Sequence, residues 1–196
     1  VSRCHRHASE HLHISTKKYL FLQASELNYI DFNLCQDKVI KSAKITTDMT
    51  TFSPDVLKSA AFYAGFVFPK NCFIPLDNAY ACVDDSEAMK FAAECAAQSQ
   101  FILKLWTEER KDCDKFSRLT QAVAMMAHAL QSNSKAGLAV GVLGYTRDDG
   151  ERHSVNAIFG KVRGKTEVTI RVFEPQTGEE LFLSDKEKES CLHLLI

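Results

Sequence analysis

Three side chains in this sequence have the types and the order needed to break an amide bond through a thiol: Cys113, His153 and Glu174. A cysteine attacks a carbonyl as its thiolate, and it needs a base to take its proton and a third group to orient that base. Cys113 stands in Asp112-Cys113-Asp114 at the start of a periodic apolar stretch, which puts it in the first turn of a helix. The unpaired N–H groups and partial positive charge at such a terminus favour a thiolate. Asp112 and Asp114 oppose that effect, so a paired imidazolium or a metal has to offset them. Taken alone, a cysteine at a helix start reads as a structural thiol.

His153 follows a polar turn and begins an apolar run, so it faces the end of a sheet. Taken alone it is a surface histidine at a turn. Glu174 ends the next run, in Phe173-Glu174-Pro175-Gln176, where Pro175 stops the strand. In an antiparallel pair the start of one strand lies beside the end of the next, so His153 and Glu174 are expected neighbours. The carboxylate would fix the imidazole tautomer and stabilise its charged form.

The elements that must position these groups are readable. Phe116, Leu119, Val123, Ala127 and Leu130 repeat at three and four residues, giving one helical stripe from Asp112 to just before Ser132. The period then changes. Leu138–Tyr145, His153–Val162 and Glu167–Phe173 read as strands, joined by turns at Arg147-Asp148-Asp149-Gly150 and Arg163-Gly164-Lys165. A short strand is expected at 181–183 and a final helix from Asp185 onward. Upstream, Ser53-Pro54-Asp55 starts a helix over Val56–Phe66, an extended stretch runs from Phe73 to Val83, and Asp84-Asp85-Ser86-Glu87 opens a second helix to about Gln98. Helices first and antiparallel strands afterward make an α+β domain, with the cysteine-bearing helix packed on an antiparallel sheet.

The whole chain has 196 residues, 45% of them apolar and 25% charged, which suits one globular domain with a small extension. We assign residues 1–50 to an N-terminal extension of unread role and 51–196 to the domain. The extension carries Tyr19–Leu22 and Tyr29–Phe32 as short expected strands. It also holds Cys4, His5, His7, His11 and His13, a ligand-rich cluster that lacks an apolar frame to hold a metal and reads as a terminal segment. A net charge of -1 gives no general pull toward nucleic acid, and no apolar run approaches a membrane span. Seven cysteines without a CxxC pair read as free thiols in a reducing setting. The free thiols, and the absence of an apolar leader in the first residues, favour the cytoplasm. The chain does not begin with Met, as expected of a fragment or a processed product.

Several short pieces together resemble the C-terminal, papain-like cysteine-protease domain of the Marasmius oreades agglutinin and related fungal lectins. They are Trp106 seven positions before Cys113, the run Asp112-Cys113-Asp114 with Phe116, His153-x-x-Asn156, and Phe173-Glu174-Pro175-Gln176 followed by Gly178. The resemblance covers roughly residues 100–180. It implies a papain-like fold and a cysteine endopeptidase with Cys113 as nucleophile, His153 as base and Glu174 as third member, acting on a protein or peptide substrate. Trp106, Gln176 and Asn156 would support the active site. The family is calcium-activated, which implies calcium with Asp112, Asp114 and Gln176 among its ligands. Here Lys115 stands where the family has a further Asp. That change removes a ligand, adds a repelling charge, and offers Asp112 or Asp114 an ammonium partner instead. The Gln-x-Trp repeats of the lectins' sugar-binding domain are absent, and Trp106 is the only Trp.

Two other functions fit the same residues. One is a papain-like binding module whose catalysis has decayed, for which Lys115 is the sort of change expected. The other is a related thiol amidase or transferase, transglutaminase- or deubiquitinase-like, using the same triad.

Overall fold

A computed structural model describes residues 49–104, 112–132 and 134–196. The expected N-terminal strands, the Cys4–His13 cluster, nearly all of the 1–50 extension and Trp106 lie outside the described residues. The described elements are, in order, β1 (Thr51–Phe52), α1 (Pro54–Tyr63), β2 (Phe73–Ile74), β3 (Tyr80–Ala81), β4 (Val83–Asp84), α2 (Asp85–Lys104), α3 (Cys113–Gln131), β5 (Gly137–Leu138), β6 (Val140–Thr146), β7 (Arg152–Lys161), β8 (Val168–Phe173), β9 (Glu180–Leu181), α4 (Asp185–Glu189) and β10 (Cys191–Leu195). This is a mixed α+β arrangement rich in antiparallel pairing.

The larger sheet runs β2-β10-β6-β7-β8-β9, with β4 also pairing β7, and β1, β3 and β5 make a small second sheet. The two long hairpins explain the centre of the larger sheet. The turn after Thr146 carries Gly150 at φ +90° and the turn after Lys161 carries Gly164 at φ +75°, backbone conformations that glycine adopts without steric cost. Alternation along β6 and β7 then divides the core. Leu143, Tyr145, Val155, Ala157 and Phe159 pack on one face with Leu57 and Ala61 of α1. Val140, Ile158 and Phe173 pack on the other with α2 and α3, through Ala88, Phe91, Cys95, Val123 and Ala127. Asp85, at the start of α2, receives Arg171 Nε and Nη2 from β8, each at 2.9 Å. That bidentate pair pins the helix to the sheet.

The structure corrects four sequence expectations. The first helix ends at Tyr63, because Gly65 takes φ +91° and turns Phe66 back into the core. The second runs on to Lys104, since no glycine or proline interrupts residues 85–104. The expected strand Leu138–Tyr145 breaks at Ala139: Leu138 joins the small sheet together with Gly137, and Val140–Tyr145 join the large one. The final helix is only α4, closed by the Ser184–Glu187 capping box. The chain then re-enters the sheet as β10, with Cys191, Leu194 and Ile196 in the core.

Candidate active site

The α3 helix was expected to dock through one apolar stripe, and it does so only in part. Val123 and Ala127 are buried, but so are Ser117, Thr120, Gln121 and His128, while Leu130 is 60% exposed. Polar bonds fix the docking. Asn156 Nδ2 of β7 donates to the Ser117 carbonyl at 2.9 Å and to the Gly141 carbonyl at 3.1 Å. Gln121 Nε2 donates to the Val140 and Leu195 carbonyls at 3.1 and 3.2 Å. Ser154 Oγ of β7 donates to Asp114 Oδ1. Each satisfied bond of this kind is worth about 1 kcal/mol, and leaving one partner buried and unpaired costs more. They also set the helix lengthwise. Asp114 meets Ser154 and Ser117 meets Asn156, so α3 runs along β7 in the same direction. Its first residue, Cys113, therefore lies level with His153. Asn156 thus ties β7 to α3.

At the other end of the site the geometry is direct. His153 Nε2 lies 3.0 Å from Glu174 Oε2, both side chains about one-fifth exposed. The second carboxylate oxygen, Oε1, accepts the backbone N–H of Gln176 at 3.3 Å. The contact of Gln176 with Glu174 is thus made by its main chain. The Glu174 N–H donates to the Glu179 carbonyl at 2.9 Å, and the Glu174 carbonyl accepts the Gly178 N–H at 2.7 Å. Gly178 has φ +76°, and a Cβ there would stand 2.7 Å from Ala93 Cα, so the turn carrying Glu174 sits hard against α2. The His153 ring meets Tyr145 edge-on, with centroids 5.9 Å apart and planes at 72°. With Nε2 taken by the carboxylate, Nδ1 is the nitrogen left to accept a proton from a thiol.

Cys113 is half-buried at the first position of α3. Asp112 caps the helix, its side chain accepting the Asp114 N–H at 3.4 Å, and its carbonyl accepts the Lys115 and Phe116 N–H groups at 3.1 and 3.2 Å. Among the described residues the Cys113 N–H has no acceptor and the Cys113 thiol makes no hydrogen bond, including none to His153. Strand alternation contributes to that separation, because Ser154 turns toward α3 and His153 toward Tyr145. The structure joins His153 to Glu174 and sets Cys113 level with them without a thiol–imidazole bond.

Burial sorts the remaining described thiols. Cys82, Cys95 and Cys191 are buried, and desolvation pushes each up to about 12. They are inert at neutral pH. Cys72 and Cys113 are the half-buried described cysteines. Ser154 and Tyr145 are the site residues that sequence reasoning passed over. The signal for both was the hairpin register, in which Tyr145 opposes His153 and Gly144 opposes Ser154.

Calcium takes roughly six to eight oxygen ligands. Asp112 Oδ1 is used in the cap and Oδ2 lies 3.6 Å from Lys115 Nζ. Asp114 is engaged by Ser154. Among the described residues no group of three or more His, Cys, Asp or Glu side chains is arranged to hold a metal ion. This donor set, with an ammonium inside it, does not fit calcium. No helix among the described residues is long and apolar enough to cross a membrane.

No protein-family model matches the sequence, and no curated protein matches it. Solved structures do. One is the Polyporus squamosus lectin bound to the epitope Neu5Acα2-6Galβ1-4GlcNAc, with a TM-score of 0.54, 15% identity, and 74% of this chain and 49% of that chain covered. Another is a PSL1a–E64 complex, with a TM-score of 0.51, 18% identity, and 74% of this chain and 51% of that chain covered. The chain spans about half the length of these neighbours. At such identities the likeness is one of fold.

Proposed function

We propose that this chain is a papain-like thiol hydrolase, related to the protease domain of the fungal agglutinins, that cleaves amide bonds through Cys113, His153 and Glu174. The observation that carries the reading is the held pair at 3.0 Å: His153 Nε2 on a carboxylate whose other oxygen is tied to the Gln176 N–H. A surface histidine has no use for a carboxylate fixed from both sides. The neighbour in complex with E64 supports the same reading, because E64 is an epoxide that alkylates activated cysteine thiolates.

The reaction proceeds by ordinary acyl transfer. His153 Nδ1 takes the Cys113 proton, and Glu174 stabilises the imidazolium. This step requires the thiol and Nδ1 to be brought together, as catalytic hydrogen bonds often tighten only when substrate binds. The thiolate attacks the amide carbonyl carbon, and the N–H of Cys113 at the helix start donates a hydrogen bond to the developing oxyanion. The imidazolium gives its proton to the leaving amine as the C–N bond breaks. Water, deprotonated by His153, then attacks the thioester carbonyl and releases the acid and the thiol.

A second reading is a non-catalytic interaction module. The absence of a Cys113–His153 hydrogen bond favours it, as does a neighbour named as a lectin and bound to a glycan. One experiment separates the two. The chain is incubated with E64, and the adduct is located by intact mass and peptide mapping. A single adduct on Cys113, lost in Cys113→Ala together with hydrolysis of a denatured protein substrate, is the expected result. A folded chain with neither adduct nor hydrolysis removes the hydrolase reading and leaves the interaction module.

A further inference from the structure

The strand β10 was not foreseen from sequence, and it brings a second histidine to the same end of the sheet. Leu194 packs into the core against Leu143. By alternation the preceding residue, His193, lies on the opposite face, the one that α3 covers. His193 pairs with Gly144 of β6, and Gly144 pairs with Ser154 of β7. A Cβ built on Gly144 would stand 2.5 Å from His193 Cε1, 2.9 Å from Nδ1 and 3.1 Å from Nε2. The imidazole therefore lies over the bare Gly144 backbone, leaning across β6 toward β7. Side chains of paired residues sit about 5 Å apart, so the ring reaches to within one such step of Ser154. Ser154 in turn donates to Asp114, the residue after Cys113. His193, Gly144, Ser154 and Asp114 thus form one row ending at the start of α3.

Charge gives this row its meaning. Two carboxylates flank the candidate nucleophile. Asp112 has Lys115 at 3.6 Å. Asp114 has no ion-pair partner among the described residues. The charged or titratable groups near this level are Asp112, Asp114, Lys115 and Arg118 from α3, and Arg152 and His153 from β7, where His153 faces away toward Tyr145. On β6, Gly144 has no side chain and Tyr145 faces the other side. His193 is the titratable group of β10 on this face.

We infer that His193 is a positioning residue of the candidate site: through the row across Gly144 and Ser154, its imidazolium balances the Asp114 carboxylate beside Cys113, the part that Lys115 plays for Asp112. The inference rests on the thiol-hydrolase reading for its purpose, but it is tested on the thiol itself. Gly144 is the seat of the ring, and any side chain there displaces it.

The test is the rate of iodoacetamide labelling of Cys113 between pH 5 and 9, mapped by mass spectrometry on the full chain. Wild type is compared with His193→Gln, Gly144→Ala, Asp114→Asn and the His193→Gln/Asp114→Asn pair. His193→Gln is expected to slow labelling at pH 6 by about three- to tenfold, the order expected when one nearby positive charge is removed from a thiolate at a protein surface. Gly144→Ala, which keeps the imidazole but drives it off the row, slows labelling likewise. In the Asp114→Asn background, His193→Gln has a smaller effect. Circular dichroism checks that each variant is folded. A His193→Gln profile that superimposes on wild type overturns the inference, as does an equal loss with and without Asp114. Failure of the hydrolase reading appears separately, as a wild-type chain without E64 adduct or hydrolysis, because iodoacetamide reports the charge balance at the thiol whether or not the chain turns over substrate.

Discussion

Glu174 holds His153 at 3.0 Å through one carboxylate oxygen while the other takes the Gln176 N–H, so the pair is oriented from both ends. The orientation is inherited from the backbone. Gly178 closes the turn onto the Glu174 carbonyl at 2.7 Å, and the same glycine lies against Ala93 of α2. A helix on one face of the sheet thereby steadies a carboxylate at its end.

Glu174→Gln keeps the shape of the side chain but removes the charge and can reverse the imidazole tautomer. We expect kcat/KM for a peptide substrate to fall by roughly a hundredfold or more, with Cys113→Ala costing all measurable turnover. Equal, full activity in both variants excludes the triad.

Thiol labelling at pH 7 separates the described cysteines by burial. Cys82, Cys95 and Cys191, each pushed up to about 12, stay unlabelled until the chain is unfolded. Cys113 labels first, and Cys72→Ser leaves its rate unchanged. Early labelling of a buried cysteine in the native chain contradicts the packing described above.

Gly178→Ala places a methyl group in the space of Ala93 and forces an L-residue into a left-handed conformation. The expected cost is roughly 1–3 kcal/mol in urea unfolding, with a fall in activity larger than stability alone explains. A variant as stable and as active as wild type shows that the turn is free to move.

Asp85 governs stability in acid. Its carboxyl is held below the ordinary range chiefly by the hydrogen bonds from Arg171, against a smaller opposing effect of burial. Its stabilisation is complete above the unfolded value of about 3.9 and is lost as pH falls through the lower folded value. Asp85→Asn should cost roughly 1.5–3 kcal/mol at pH 7 and flatten the acid limb of the stability curve. An unchanged acid limb in the variant removes Asp85 from that role.

Calcium should leave the site as it is. We expect titration calorimetry to find no tight calcium binding at Asp112 and Asp114, and EDTA to leave Cys113 labelling unchanged. Lys115→Asp replaces the ammonium with a carboxylate and is the variant in which calcium sensitivity should emerge. Tight binding to the wild-type chain, lost on Asp114→Asn, overturns this.

The sequence by itself determined the local elements and the meeting of His153 with Glu174. Period, turn residues and strand order are short-range signals, and an antiparallel hairpin brings the start of one strand to the end of the next whatever surrounds it. It also settled the start of α3 at Cys113, because Asp112 is a capping residue before a periodic run. Only the tertiary structure decided which face of α3 is buried. Gln121 is inside because its amide donates to the Val140 and Leu195 carbonyls, and Ser117 because its hydroxyl donates to the Cys113 carbonyl while its own carbonyl accepts from Asn156; the partners beyond the helix lie 19 to 74 positions away in the chain. The tertiary structure also turned the last five strand residues, Cys191–Leu195, into a neighbour of β6 and brought His193 over Gly144. A five-residue apolar run reads as helix or strand equally well, and its long-range pairing alone settles which.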